Sequence, residues 1–170
     1  MVDSSACRKR TFNIYSSNCN TESKRLINES LELSMSTAKR FEDLEIWQLA
    51  RELVAMIYEI SNKALFSKDY GLKDQIRRSS VGVMNNISEG FESRTVKLFI
   101  DYLGRSKGSC GETRSVLYAA LDQNYISKAE FNDLRQKCEK ISSKTLRLIQ
   151  YLEKYESNDR VQEAGFGYDV

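Results

Sequence analysis

Lys137, Lys140, Lys144, Arg147 and Lys154 recur at steps of three, four, three and seven residues, with Tyr151 filling the gap. On a helix such steps bring side chains to one side of the axis. Cations spaced in that way can follow the phosphates of a nucleic acid. Lys107 and Arg114, followed by Tyr118, form a shorter line of the same kind. Between Ser93 and Gln150 there are eleven Lys or Arg against six Asp or Glu, in a chain whose net charge is only +2. Bulk charge therefore gives no argument for RNA or DNA, and any basic surface must come from uneven placement. The competing reading is a solvated flank, whose long side chains cover apolar surface with their stems and keep their heads in water.

A second constellation lies between Leu72 and Glu112. It sets Gln75, Arg77, Arg78, Asn85, Asn86, Ser88, Glu89 and then Lys107-Gly108-Ser109-Cys110-Gly111-Glu112 beside an apolar stripe. Polar groups of this kind need designated partners once buried. Gln75, Ser79, Gly82, Asn86 and Gly90 share one helical face, and Gly104, Gly108, Gly111 and Ser115 form another small-residue line. A helix-interior Gly costs roughly 0.5–1 kcal/mol relative to Ala, so a close approach is expected in return. Two readings stay open. Either the second and third helices of one chain pack here, or the face meets another subunit and Glu89 or Glu112 pairs with Arg77 or Arg78. The residues at stake, as interface or buried polar groups, are Gln75, Arg77, Arg78, Asn86, Glu89, Ser109 and Glu112.

Catalysis is not expected. Glu89 and Glu112 could act as a carboxylate pair, but no nucleophile, metal triad or phosphate loop accompanies them. The chain has no His, the usual general base near neutral pH and the commonest metal ligand. Gly108-Ser109-Cys110-Gly111 lies inside a helical pattern without a partner base, so it is not a nucleophile elbow. Cys7, Cys19, Cys110 and Cys138 show no CxxC spacing and read as reduced thiols of a cytoplasmic protein, with Cys138 a core filler. No metal and no cofactor are expected. No stretch of about 18 apolar residues is present, so no membrane association by a spanning helix is expected, and the first residues lack the apolar core of a secretory signal.

The elements that must position these residues are helices. The chain contains no Pro, which suits long uninterrupted ones. Ile46, Leu49, Ala50, Leu53, Ile57, Ile60 and Ala64, widened by Trp47 and Val54, predict a first helix over about Leu44 to Leu65. Leu72, Ile76, Ser80, Val83 and Ile87 predict a second over about Leu72 to Phe91. A third is expected from Val96, capped by Thr95, to Gln123, with Asn124 suited to a left-handed cap. Ser127-Lys128-Ala129-Glu130 matches a capping box at the start of a fourth. Phe131, Leu134, Cys138, Ile141, Thr145, Leu148 and Leu152 then give the three–four alternation of a bundle seam. Three short connections imply antiparallel neighbours, hence an all-α, up-down-up-down four-helix bundle over residues 41–156. Residues 1–40, rich in Ser, Asn and Thr, are expected to be a flexible extension with a short amphipathic turn around Ser23 to Leu33. Met35 is a candidate native start, and residues 157–170 are expected to fray.

From about Phe41 to Tyr155 the chain resembles the four-helix bundle family named from reading frames inside intervening sequences of bacterial 23S rRNA genes. The resemblance rests on Phe41 with Leu44, Trp47-Gln48-Leu49-Ala50, Tyr70-Gly71-Leu72 and Gln75-Ile76-Arg77-Arg78. Asn86-Ile87-Ser88-Glu89-Gly90 and Gly108-Ser109 with Glu112 complete it. Two departures stand out: Ser67 where the family usually has Pro, and Gly104 and Gly111 where larger residues are typical. The resemblance implies ring-forming bundles, often pentamers, so the chain itself is an expected partner. One branch is the accessory variability determinant of diversity-generating retroelements, which has a basic surface and works with a reverse transcriptase and its template RNA. The expected role is thus a non-catalytic, self-assembling accessory protein. In that role Lys107, Arg114, Lys137, Lys140, Lys144 and Arg147 would touch RNA or DNA phosphates. The alternative is an oligomeric adaptor with a protein partner and no nucleic-acid role.

Overall fold

Four amphipathic stretches fold as four helices, α1 (Glu45–Ser61), α2 (Tyr70–Phe91), α3 (Val96–Asp122) and α4 (Lys128–Ala164). The computed structural model describes the backbone of residues 38–164 and the side chains up to residue 156. Single 3-10 turns at Phe41–Asp43 and Phe66–Lys68 precede α1 and link it to α2. No strand occurs among the described residues. The expected extension over residues 1–40, its turn around Ser23 to Leu33 and the start at Met35 lie outside the described residues, apart from residues 38–40. The α4 backbone runs on past Glu156 to Ala164, where fraying was expected.

Each helix buries the stripe that its sequence marks. Leu53, Ile57, Ile76, Val83, Ile87, Leu103, Leu117 and Cys138 are fully buried. An aliphatic side chain sealed in this way is worth roughly 1.5–3 kcal/mol. Phe131, Leu134, Ile141, Thr145, Leu148 and Leu152 complete the α4 seam. The result is a four-helix bundle in which α1 meets α2 and α4, and α3 meets the same two. Contacts across the pairs run in opposite senses: Gln75 to Glu112 but Val83 to Ser106, Cys110 to Cys138 but Tyr118 to Phe131, Glu45 to Lys144 but Glu52 to Lys137.

The helix ends obey local rules. Asp69 accepts from the Leu72 amide and starts α2, and Thr95 accepts from the Leu98 amide and starts α3. At the α3 terminus Asn124 takes φ 56°, its amide donates to the Leu121 carbonyl, and the Tyr125 amide donates to that of Ala120. These are the two bonds of a Schellman closure. Ser127 and Glu130 make the reciprocal capping bonds that open α4.

The first helix ends earlier than its periodicity suggests. It stops at Ser61, and Ala64 and Leu65 are exposed. Arg77 braces that end: its Nε donates to Ser61 Oγ and its Nη2 to Asn62 Oδ1, both at 2.8 Å. The chain then turns so that Phe66, rather than Ala64, plugs the core and stacks on Tyr125 at 5.2 Å between ring centroids.

Candidate nucleic-acid interface

Seven residues of α-helix advance about 10.5 Å and return a side chain to nearly the same azimuth. That step divides the single line expected on α4 into two stripes, and the shorter line on α3 makes a third. Lys137 and Lys144 point toward α1, where Lys137 Nζ donates to Glu52 at 2.6 Å and Lys144 Nζ to Glu45 at 2.7 Å. Both lysines are half-buried. Lys63, just past the end of α1, pairs with Glu130 and extends this ladder of ion pairs to the start of α4. The Lys137 hydrogen bond and charge hold the Glu52 carboxyl below its ordinary range, with Lys140 adding a smaller pull.

Lys140 and Arg147 form the second stripe. Both are exposed on the side of α4 facing away from its apolar seam, and neither forms an ion pair among the described residues. The third stripe is on α3. Lys107 and Arg114 are half-buried, and Arg114 lies close enough to the Cys110 and Cys138 thiols to influence both, so it borders α4. From the opposed register of α3 and α4, Lys107 and Lys140 stand at similar heights. The four cations Arg114, Lys107, Lys140 and Arg147 then spread over roughly 20 Å along the bundle.

The Gln/Asn/Ser/Gly face is spent inside the chain. Gln75 Nε2 donates to Glu112 Oε1 at 2.8 Å, and Asn86 Nδ2 donates to the Gly82 carbonyl at 2.7 Å with Ser109 Oγ at 3.4 Å. A Cβ on Gly82 would stand 3.1 Å from Ser109 Oγ, so this glycine lets α2 and α3 approach. Arg77 is occupied with Ser61 and Asn62 and lies over the Tyr58 ring at 4.4 Å. Arg78 pairs with Asp74 within its own helix. Within one chain, then, neither arginine reaches Glu89 or Glu112, and Glu89 is exposed.

The third-helix glycines behave differently. A Cβ on Gly104, Gly108 or Gly111 would meet nothing within 4 Å. Their expected close approach is therefore not made among the described residues. Leu98 and Tyr118, 44% and 53% exposed, are large apolar side chains on the same helix.

Two features escaped the sequence reading. Glu45 and Glu52 repeat at the seven-residue interval of Lys137 and Lys144, but the interval alone does not say that the two helices face each other. The stacking of Arg77 on Tyr58 had no sequence signal, because it depends on how α1 and α2 meet. Among the described residues no group of three His, Cys, Asp or Glu could hold a metal ion, and no helix is long and apolar enough to cross a membrane.

The fold has solved counterparts. One is a crystal structure at 1.70 Å of a protein with unknown function from the S23 ribosomal protein family of Bacteroides thetaiotaomicron VPI-5482. It superposes with a TM-score of 0.57 at 19% identity, over 61% of this chain and 97% of that one. No curated protein matches the chain at a significant level. Residues 42–147, which hold α1 to α3 and the part of α4 carrying its basic stripes, match the family model for the 23S rRNA-intervening sequence protein, and the chain belongs to that family.

Proposed function

We propose that this protein is a non-catalytic, self-associating bundle of the cytoplasm that binds the backbone of RNA or DNA as an accessory factor. The observation that carries this reading is the exposed stripe of Lys140 and Arg147, which makes no ion pair among the described residues, with Lys107 and Arg114 at similar heights on α3. Lys137 and Lys144 leave the binding set. Engaging phosphate would strip Glu52 and Glu45 of their partners and loosen α1 from α4. The name of the family, drawn from 23S rRNA, makes RNA the first ligand to test. Two or four cations per chain bind weakly, and repetition in an assembly multiplies them through effective concentration. A ring of five is the assembly expected from the family resemblance.

The adaptor reading draws support from a separate observation. The open glycine line of α3, with Leu98 and Tyr118 exposed on the same helix, suits contact with protein rather than phosphate. Self-association through this face accommodates both observations. Fluorescence anisotropy of labelled RNA and DNA across a salt titration, run beside light scattering, tests the proposal. Micromolar or tighter binding that weakens steeply with salt, by an oligomer, is expected. An oligomer that binds neither nucleic acid at low salt would leave the adaptor role.

A further inference from the structure

We infer that the seam between α1 and α2 carries a second nucleic-acid site, a strip of tyrosines and cations that stacks the unpaired bases of a single strand. Tyr70, Lys73 and Arg77 follow one another at steps of three and four residues. They therefore lie along one side of α2 over about 10.5 Å. Lys73 Nζ stands 4.7 Å from the centre of the Tyr70 ring, and the Arg77 guanidinium stands 4.4 Å from that of Tyr58 on α1. The order along the strip is ring, cation, cation, ring.

Each ring has a cation over one face, yet Tyr70 is 75% and Tyr58 42% exposed. Ring surface left open in this way is what a base stacks on, and a neighbouring cation meets its phosphate. The charge of the segment favours an anionic strand. Residues 63–78 hold five Lys or Arg against two Asp. Both acids are committed: Asp69 accepts from the Leu72 amide and the Tyr125 hydroxyl, and Asp74 pairs with Arg78. Lys68, Lys73 and Arg77 form no ion pair among the described residues. The two cations of the strip are also held in place. Lys73 Nζ donates to the Ser67 carbonyl at 2.9 Å, and Arg77 is fixed by Ser61 and Asn62. Each has further N–H groups for a phosphate oxygen, and cations fixed beforehand lose little freedom on binding.

The rings select an unpaired strand. Bases inside a duplex stack on one another and offer no face to a tyrosine, whereas splayed bases do. The strip also stands apart from the stripes described above. Because α1 meets α2 and α4, and α3 meets the same two, the α1–α2 seam lies across the bundle from the α3–α4 seam. The inference rests on the reading of this protein as a nucleic-acid binder, but not on Lys140 and Arg147.

The test measures fluorescence anisotropy of the full chain with an unstructured, mixed-sequence RNA strand, and with the same strand annealed to its complement. Tyr70 is the better probe, because replacing so exposed a ring leaves the fold intact. Tyr70→Leu should weaken binding of the single strand about fivefold or more and leave the duplex unaffected. Tyr70→Phe, which keeps the ring, should bind as the parent does, and Tyr58→Leu should act in the direction of Tyr70→Leu. Unchanged single-strand binding by Tyr70→Leu, equal losses on strand and duplex, or a Phe variant as weak as the Leu one would overturn the inference. So would a loss accompanied by a lower assembly mass in light scattering, which would mark Tyr70 as a contact between chains. If the parent binds the duplex but not the strand, this site alone fails. If it binds neither, the nucleic-acid reading fails with it.

Discussion

Among the described residues, the Thr145 hydroxyl is the buried side-chain oxygen with no hydrogen-bond partner. Other buried hydroxyls of the core are satisfied: Thr113 donates to Ser79 Oγ at 3.0 Å and Ser106 donates to the Val83 carbonyl at 2.9 Å. An orphaned hydroxyl costs more than it returns, and Val keeps the shape. Thr145→Val is expected to raise unfolding stability by about 1 kcal/mol in urea denaturation. A loss of stability would mean the hydroxyl is satisfied. Gly90 presents the opposite case. A Cβ there would stand 2.7 Å from the Phe99 ring and 2.8 Å from Tyr102 Cβ. Gly90→Ala should therefore destabilise by roughly 1–3 kcal/mol, read from the same titration. The heptad in the sequence places Thr145 and Cys138 on the seam correctly. It is silent on whether a seam hydroxyl finds a partner, because that depends on which atoms the facing helices present.

At the scale of the element, what was legible is what is local. Ser127 with Glu130, Thr95, Asp69 and Asn124 act at the helix ends their types predict. The end of α1 was not legible, since the contacts made there come from far along the chain: Arg77, sixteen residues beyond Ser61, and Tyr125, on which Phe66 stacks. The α1–α4 ladder was legible only in its spacing, for a heptad of charges does not say which helix will face it. That ladder has a pH signature. The Lys63 hydrogen bond, the Ser127 bonds and the Lys63 charge hold Glu130 down to about 2, from an ordinary value of 4.5. A carboxyl depressed on folding stabilises the fold above its unfolded value and loses that contribution as pH falls through the folded one. Glu52 shifts in the same direction. The melting temperature should fall as pH drops from about 4.5 toward 2, and Glu130→Gln should flatten the part due to Glu130. An identical acid profile for that variant would contradict the assigned role of Glu130 in tying the start of α4 to the connection after α1.

For the whole molecule, the open glycine line of α3 bears on self-association. Exposed helical glycines cost stability without packing return, so Gly104→Ala and Gly108→Ala should each stabilise the single-chain fold by roughly 0.5–1 kcal/mol. If the face is buried between copies, the same variants should lower the mass of the assembly in light scattering. An assembly of unchanged mass would place the interface elsewhere. The family resemblance made the bundle legible from motifs spread over three helices, yet the division of cations into paired and free stripes emerged only from the packed helices. That division is the central claim, and a paired comparison tests it most directly. Nucleic-acid affinity against salt would be measured for the full chain with Lys140→Ala and Arg147→Ala, and for the full chain with Lys137→Ala and Lys144→Ala. The first variant should lose about 1.4–1.8 from the log–log salt slope for each chain engaged and keep its melting temperature. The second should melt earlier with its slope unchanged. Equal effects of the two variants on the salt slope, or no binding by the parent chain, would contradict the account.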